Sequence, residues 1–161
     1  ANRHLRVETA CEDREFTMRT RLKELLKRKG SGVWSIGPSA TVFQAVEMMA
    51  LKHVGALTVL NDAGRLVGVI SERDYARKII LEGRSSHDTH VEEVMTGDVI
   101  SVHDELRVED CMAIMTENRV RHLPVLADDR VIGMISQGDL VKCIIDEQSV
   151  TIAHLERYIQ G

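Results

Sequence analysis

Aromatic residues are nearly missing from this chain. One Trp, two Tyr and two Phe make up 3% of its 161 residues, so a core must be aliphatic, drawn from Val, Ile, Leu, Met and Ala within the 43% apolar fraction. A chain of this length has room for one compact domain with a proper core, or for two very small ones. Neither sign of charge dominates: 29% of residues are charged and the formal net charge is −4. That balance gives no ground to expect nucleic-acid or membrane binding. Cysteine is scarce as well. Cys11, Cys111 and Cys143 show no CxxC spacing, and two of them fall at apolar helical positions, which suits reduced thiols better than secreted disulfides. No apolar run approaches the roughly 18 to 20 residues of a membrane span, and no secretory leader is legible. These absences predict a soluble, cytoplasmic protein.

Catalytic and metal-binding signatures are missing too. "GSGVWSIG" (30–37) lacks the Lys-Ser/Thr of a P-loop and the third Gly of a dinucleotide fingerprint. "HDTH" (87–90) sets two His three apart with no third ligand at a fitting spacing, so a solvated linker is expected there and no metal. "SERD" (71–74) groups Ser, Glu and Asp without a positioned His, which leaves nucleophilic catalysis no constellation. A non-enzyme with no catalytic cofactor is the expectation.

What the chain does have is a repeat. "GRLVGVISERDYARKI" (64–79) returns as "DRVIGMISQGDLVKCI" (129–144), with Arg65 meeting Arg130, Gly68 meeting Gly133, Ser71 meeting Ser136 and Asp74 meeting Asp139. The match reaches upstream, where residues 35–60 align with 101–126. Each unit starts with a short β-like segment ("VWSI", "VISV") and continues into an amphipathic helix. Val42, Ala45, Val46 and Met49 supply the i, i+3, i+4, i+7 face in the first unit; Val108, Cys111, Met112 and Met115 supply it in the second. Two apolar strands follow, joined by a turn bearing Asp or Gly, and a helix starting near Asp74 or Asp139 closes each unit. The pattern is β-α-β-β-α, twice. A unit of roughly 60 residues buries little surface alone, so two copies facing each other across a pseudo-twofold axis are expected. "TRLKELLKRKG" (20–30) is a basic amphipathic lead-in helix. In the C-terminal helix Val141, Ile145, Gln148, Ile152, Leu155 and Ile159 form a heptad seam with one polar break. The seam has two readings: packing on its own domain, or meeting a second subunit.

Both units resemble the cystathionine-β-synthase-type (CBS) domain, and residues from about 29 to 148 resemble a tandem CBS pair. "GVISERD" and "GMISQGD" match that family's Gly-hydrophobic-hydrophobic-Ser/Thr-x-x-Asp signature, and "HVGALTVL" and "RVRHLPVL" match its pre-strand segments. The resemblance implies an α/β (α+β) fold of two β-α-β-β-α repeats, sheets packed face to face, with flanking N- and C-terminal helices. The expected divisions are an arm or expression remnant at 1–19, the first repeat with its lead-in helix at 20–84, the second at 85–148 and a helical extension at 149–161.

The resemblance also implies two clefts able to hold an adenosine-containing ligand. The first would take Ser71, Arg73 and Asp74, the lead strand of the second repeat at Met95, Thr96, Val99 and Ile100, and Arg121 with His122. The second would take Ser136, Gly138 and Asp139, then Lys29, Val33 and Trp34, and Gly55 with Ala56. From the residues themselves, each Ser can cap the following helix and each Asp sits in its first turn, favoured by the helix dipole. There the carboxylate can accept both hydrogens of a ribose diol, or simply complete a capping box. Arg121 and His122 suit phosphate, or a solvated turn. Trp34 suits an adenine face, or the core. Because the second repeat has Arg121 and His122 where the first has Gly55 and Ala56, the basic pair exists once and the clefts should differ.

The function this implies is a regulatory module that binds AMP, ADP, ATP or NAD and signals by a change of shape to a partner protein, as a homodimer. The alternative is a ligand-free dimerisation scaffold.

Overall fold

The computed structural model describes residues 19–30 and 32–160; Cys11 and the N-terminal arm lie outside them. In chain order the elements are α1 (Leu22–Lys29), β1 (Ser35–Ile36), α2 (Val42–Lys52), β2 (Ala56–Leu60), β3 (Leu66–Ser71) and α3 (Glu72–Tyr75), which runs into a π-helical turn at Ala76–Ile80. Then come α4 (Val91–Val94), β4 (Val102–His103), α5 (Val108–Asn118), β5 (His122–Ala127), β6 (Arg130–Ser136) and α6 (Gln137–Gln160). The β-α-β-β-α pattern is present twice. Each repeat forms a three-stranded sheet, β1-β2-β3 and β4-β5-β6, with the first pair parallel and the second antiparallel. Even the register shift recurs, at Val59/Leu60 and again at Val125/Leu126.

The helix faces read from sequence are the faces buried. Val42, Ala45 and Met49 of α2, and Val108, Cys111 and Met115 of α5, are buried, with Val46 and Met112 partly so. Thr41 starts α2 through a capping box with Gln44: Thr41 Oγ1 accepts from Gln44 N and Gln44 Oε1 accepts from Thr41 N. Both helices end on a left-handed residue, His53 and Arg119, each at φ 53°. Residues 56–59 of β2 and 123–126 of β5 are buried on both strand faces, as two sheets set face to face require.

The helices that complete the cores are exchanged. Although α1 precedes the first repeat, Leu22 and Leu25 bury into the second repeat's core beside Val108, Leu123 and Ile135, and Leu22 N donates to Leu106 O at 2.9 Å. Conversely α4 precedes the second repeat, yet Val91 and Val94 bury into the first repeat's core with Leu57 and Ile70. Each repeat is therefore closed by the segment that leads into the other, and this crossing joins the two into one unit.

The repeated glycine makes the crossing possible. Chain from the 91–96 segment pairs with β3: Val69 N donates to Thr96 O at 3.0 Å and Thr96 N to Val69 O at 2.9 Å. A Cβ on Gly68 would collide with Met95 Sδ and stand 3.1 Å from Thr96 O. On the other side a Cβ on Gly133 would stand 2.5 Å from Leu26 Cδ2 of α1. Here glycine is selected for closeness of approach, and the same need arises twice.

The end of α6 leaves the body of the protein. Val141 is 41% exposed, Ile145 56%, Ile152 56%, Leu155 58% and Ile159 82%. Of the two readings of the seam, packing on its own domain is not seen among the described residues. No described helix is both long and apolar enough to cross a membrane.

Overpacking a close crossing costs about 1–3 kcal/mol. Gly68→Val should lower stability by that amount, because a backbone carbonyl blocks it from one side. Gly133→Ala should cost less, since a flexible Leu26 methyl can give way. Urea midpoints of the two variants against the parent check the order.

Candidate functional site

Two clefts lie between the repeats, with volumes of about 550 and 580 Å³, within the range of small-molecule sites. The first is walled by the β3–α3 turn, the segment leading to β4, and the turn before β5. It brings together Ser71, Arg73, Asp74, Thr96, Val99, Ile100, Arg121 and His122. Met95 is the exception to that expected set. Its side chain packs against the first repeat's core and over Gly68, beneath the wall that Thr96 forms.

The second cleft brings together Lys29, Trp34, Gly55, Ala56, Ser136 and Asp139. Val33 and Gly138 stand next to lining residues in the chain but are not among its walls. Trp34 is not core. It is 39% exposed at the rim, with Lys52 Nζ 4.1 Å above its ring. Its carbonyl accepts from Thr58 N at 3.2 Å, which fixes the strand that carries it.

Both Asp residues hold the turn. Ser71 N donates to Asp74 Oδ2 at 2.9 Å and Asp74 N donates to Ser71 Oγ at 3.3 Å. The second copy is the same, with Ser136 N to Asp139 Oδ2 at 2.8 Å and Asp139 N to Ser136 Oγ at 3.1 Å. The capping geometry uses Oδ2 in both. Asp74 Oδ1 faces Lys78 Nζ at 3.1 Å, one turn along the same helix. In the second cleft the cation comes from elsewhere: Lys29 Nζ of α1 donates to Asp139 Oδ2 at 2.7 Å and to Met134 O at 2.9 Å. Burial alone would raise the Asp139 carboxyl, but the Lys29 hydrogen bond, the Ser136 N–H and the Lys29 charge hold it below the ordinary value. The cap and Lys29 share Oδ2 of Asp139.

His122 is held below its usual pKa, first by burial and then by Lys29 and Arg121, with Asp139 opposing. Its imidazole is therefore neutral at neutral pH.

Sequence reasoning missed several lining residues. Glu72, Arg77, Asp98 and Arg119 also face the first cleft, and Lys52, His53 and Met134 the second. Arg119 and His53 were findable, because the alignment of the repeats makes them equivalent and each ends the helix that opens onto its cleft. None of Arg73, Arg77, Arg119 and Arg121 is in an ion pair among the described residues. Among the described residues, the first cleft thus presents four guanidiniums outside any ion pair, alongside the carboxylates of Glu72, Asp74 and Asp98. No group of three or more His, Cys, Asp or Glu suited to a metal ion is present among the described residues.

Comparison with known proteins gives the same frame. The mitochondrial CBS domain-containing protein CBSX3 of Arabidopsis thaliana is 41% identical over 151 residues, covering 88% of this chain and 73% of that protein. The crystal structure of the CBS domain protein NE2398 is 49% identical with a TM-score of 0.74, covering 78% of this chain and 98% of that one. A CBS domain pair crystallised with 5′-methylthioadenosine and S-adenosyl-L-methionine reaches a TM-score of 0.71 over 80% of this chain and 98% of that one; at 22% identity it shows the fold alone. The CBS domain family matches residues 22–81 and 91–146, and each segment contains one of the two Gly-x-x-Ser-x-x-Asp turns. The chain belongs to the CBS domain family and carries the domain as a tandem pair.

Proposed function

We propose that this CBS pair is a regulatory module that holds an adenosine nucleotide (AMP, ADP, ATP or NAD) in one or both clefts and passes its occupancy to a partner protein as a change of shape. The observation that carries this reading is the convergence in the first cleft of a helix-capping carboxylate, an apolar wall at Val99 and Ile100, and the four guanidiniums of Arg73, Arg77, Arg119 and Arg121. A carboxylate suits a ribose diol, the apolar wall suits a base, and guanidinium forks suit phosphate. A protein of this fold has been crystallised with 5′-methylthioadenosine and S-adenosyl-L-methionine, so the fold is able to house ligands of this class. Buried Cys111, its thiol pushed up to about 12 by desolvation, and buried Cys143 fit a reducing compartment such as the cytoplasm or an organelle matrix.

We propose further that the module is a homodimer joined through α6. In the exposed seam Ile145, Ile152 and Ile159 take the a positions and Val141, Gln148 and Leu155 the d positions. Ile at a with Leu at d suits a two-stranded coil. The exposed seam is also what favours the second reading, a ligand-free dimerisation scaffold.

A calorimetric panel of AMP, ADP, ATP, NAD and S-adenosylmethionine separates the readings: a saturable heat with any of them supports the sensor, and none with all five supports the scaffold. Arg121→Ala should weaken AMP roughly ten- to hundredfold, the worth of a charge-assisted bond, and leave adenosine nearly unchanged. Equal losses would assign Arg121 to the fold.

Asp74→Asn tests the ribose contact, since one acceptor oxygen becomes a donor. It should weaken AMP by roughly ten- to hundredfold. 2′-Deoxy-AMP should show a similar loss on the parent protein and little further loss on the variant, the non-additivity of a direct contact. If the carboxylate only caps α3, the variant will melt earlier without ligand and treat both nucleotides alike.

Ile152→Glu should turn a dimer into a monomer in sedimentation at micromolar concentration. A parent protein that sediments as a monomer overturns the assembly and leaves the nucleotide reading standing.

A further inference from the structure

The two clefts are not separate rooms. Gly55 and His122 line both of them. In the aligned repeats Gly55-Ala56 corresponds to Arg121-His122, and Gly55 stands against His122 in the fold. The symmetry is broken there. Ala56 stands beside Ser71 and His122 stands beside Ser136 in the strand registers, yet only one of the two carries an imidazole. That imidazole uses the room its counterpart lacks. A Cβ placed on Gly55 would lie 3.6 Å from His122 Nε2 and 3.7 Å from Glu72 Oε2, so the ring rests against the Gly55 backbone. The charges that act on His122 come from both sides: Lys29 and Asp139 belong to the second cleft and Arg121 to the first.

We infer that His122 couples the two clefts antagonistically, because its one ring lines both of them and two anionic ligands would compete for the same N–H. This rests on the nucleotide reading of the clefts and says how one site regulates the other. A neutral imidazole presents one donor nitrogen and one acceptor nitrogen. A phosphate in the first cleft, held by Arg121, orients the N–H toward itself. The second cleft then meets an acceptor nitrogen where an anionic ligand needs a donor. The converse holds when the second cleft fills first, as linkage requires. Asymmetry at the axis makes this possible: with imidazoles on both sides each cleft would have its own donor, and with none the clefts would be independent.

The test is a set of AMP titrations by calorimetry at pH 8, where His122 is neutral. Asp139→Asn and Asp74→Asn each weaken one cleft, so the constants of the remaining clefts can be measured singly. In the parent protein the overall constant for filling both clefts should fall about fivefold or more below the product of the two single constants. In His122→Ala that shortfall should vanish. His122→Gln, which keeps bulk and offers two N–H donors on one amide, should remove most of it and guards against a folding defect in the Ala variant. AMP binding to both clefts with no shortfall in the parent, or with the same shortfall in both His122 variants, overturns the coupling alone. Absence of AMP binding at either cleft overturns the nucleotide reading and the coupling with it.

Discussion

The strand-to-helix turn written as Gly-x-x-Ser-x-x-Asp is the interaction on which the rest depends. Its Ser and Asp close the turn by reciprocal bonds between side chain and backbone, at 2.9 and 3.3 Å in the first copy and 2.8 and 3.1 Å in the second. Such a cap contributes about 0.5–2 kcal/mol, but its larger consequence is directional. It fixes the carboxylate at the mouth of the cleft in one rotamer. The glycine three residues before the Ser brings the crossing segment against the strand, and that segment carries the opposite wall. One short sequence thus sets both sides of each cleft.

Seen this way, capping and ligand binding do not compete for the Asp. The caps use Oδ2 in both copies. Each carboxylate oxygen has more than one acceptor position, so a carboxylate that ends a helix can still receive a hydroxyl. A structural role and a recognition role are compatible in one side chain, and the ordered cap lowers the entropy cost of presenting it.

Much of this was legible in the sequence because it depends on local periodicity. The faces of α2 and α5, the strand pairs and the cap turns all follow from spacing within a few residues, and all are present. What was not legible depends on which repeat a segment chooses. Nothing near "TRLKELLKRKG" says that Leu22 and Leu25 bury beside Ile135 instead of beside Ile70, because either core would accept two leucines. Met95 was placed in a cleft by its position in the chain, while its side chain answers to the space above Gly68. Trp34 illustrates the same limit. Aromatic scarcity made core and cleft equally plausible, and the deciding contact is an ammonium from Lys52, at the far end of α2.

The exchange of α1 and α4 also explains why the clefts differ more than the sequences of the two turns do. Around Asp74 the neighbouring ammonium is Lys78, supplied by the same helical segment and also bonded to Val94 O at 2.6 Å. Around Asp139 it is Lys29, the last residue of α1, a helix held to the second repeat by its buried leucines, by backbone bonds from Leu22 N and Lys23 N to Leu106 O and Asp104 O, and by the ion pairs of Arg21 and Lys23 with Glu105. Lys78 ties Asp74 to the end of α4 through a side chain of its own helical segment. Removing Lys29 from its carboxylate loosens the seat of an element that leads, through Gly30 at φ 86°, into the first strand of the other repeat. Two turns of nearly identical backbone are therefore tied to different parts of the molecule, and that difference follows from the order in which the chain visits its two cores.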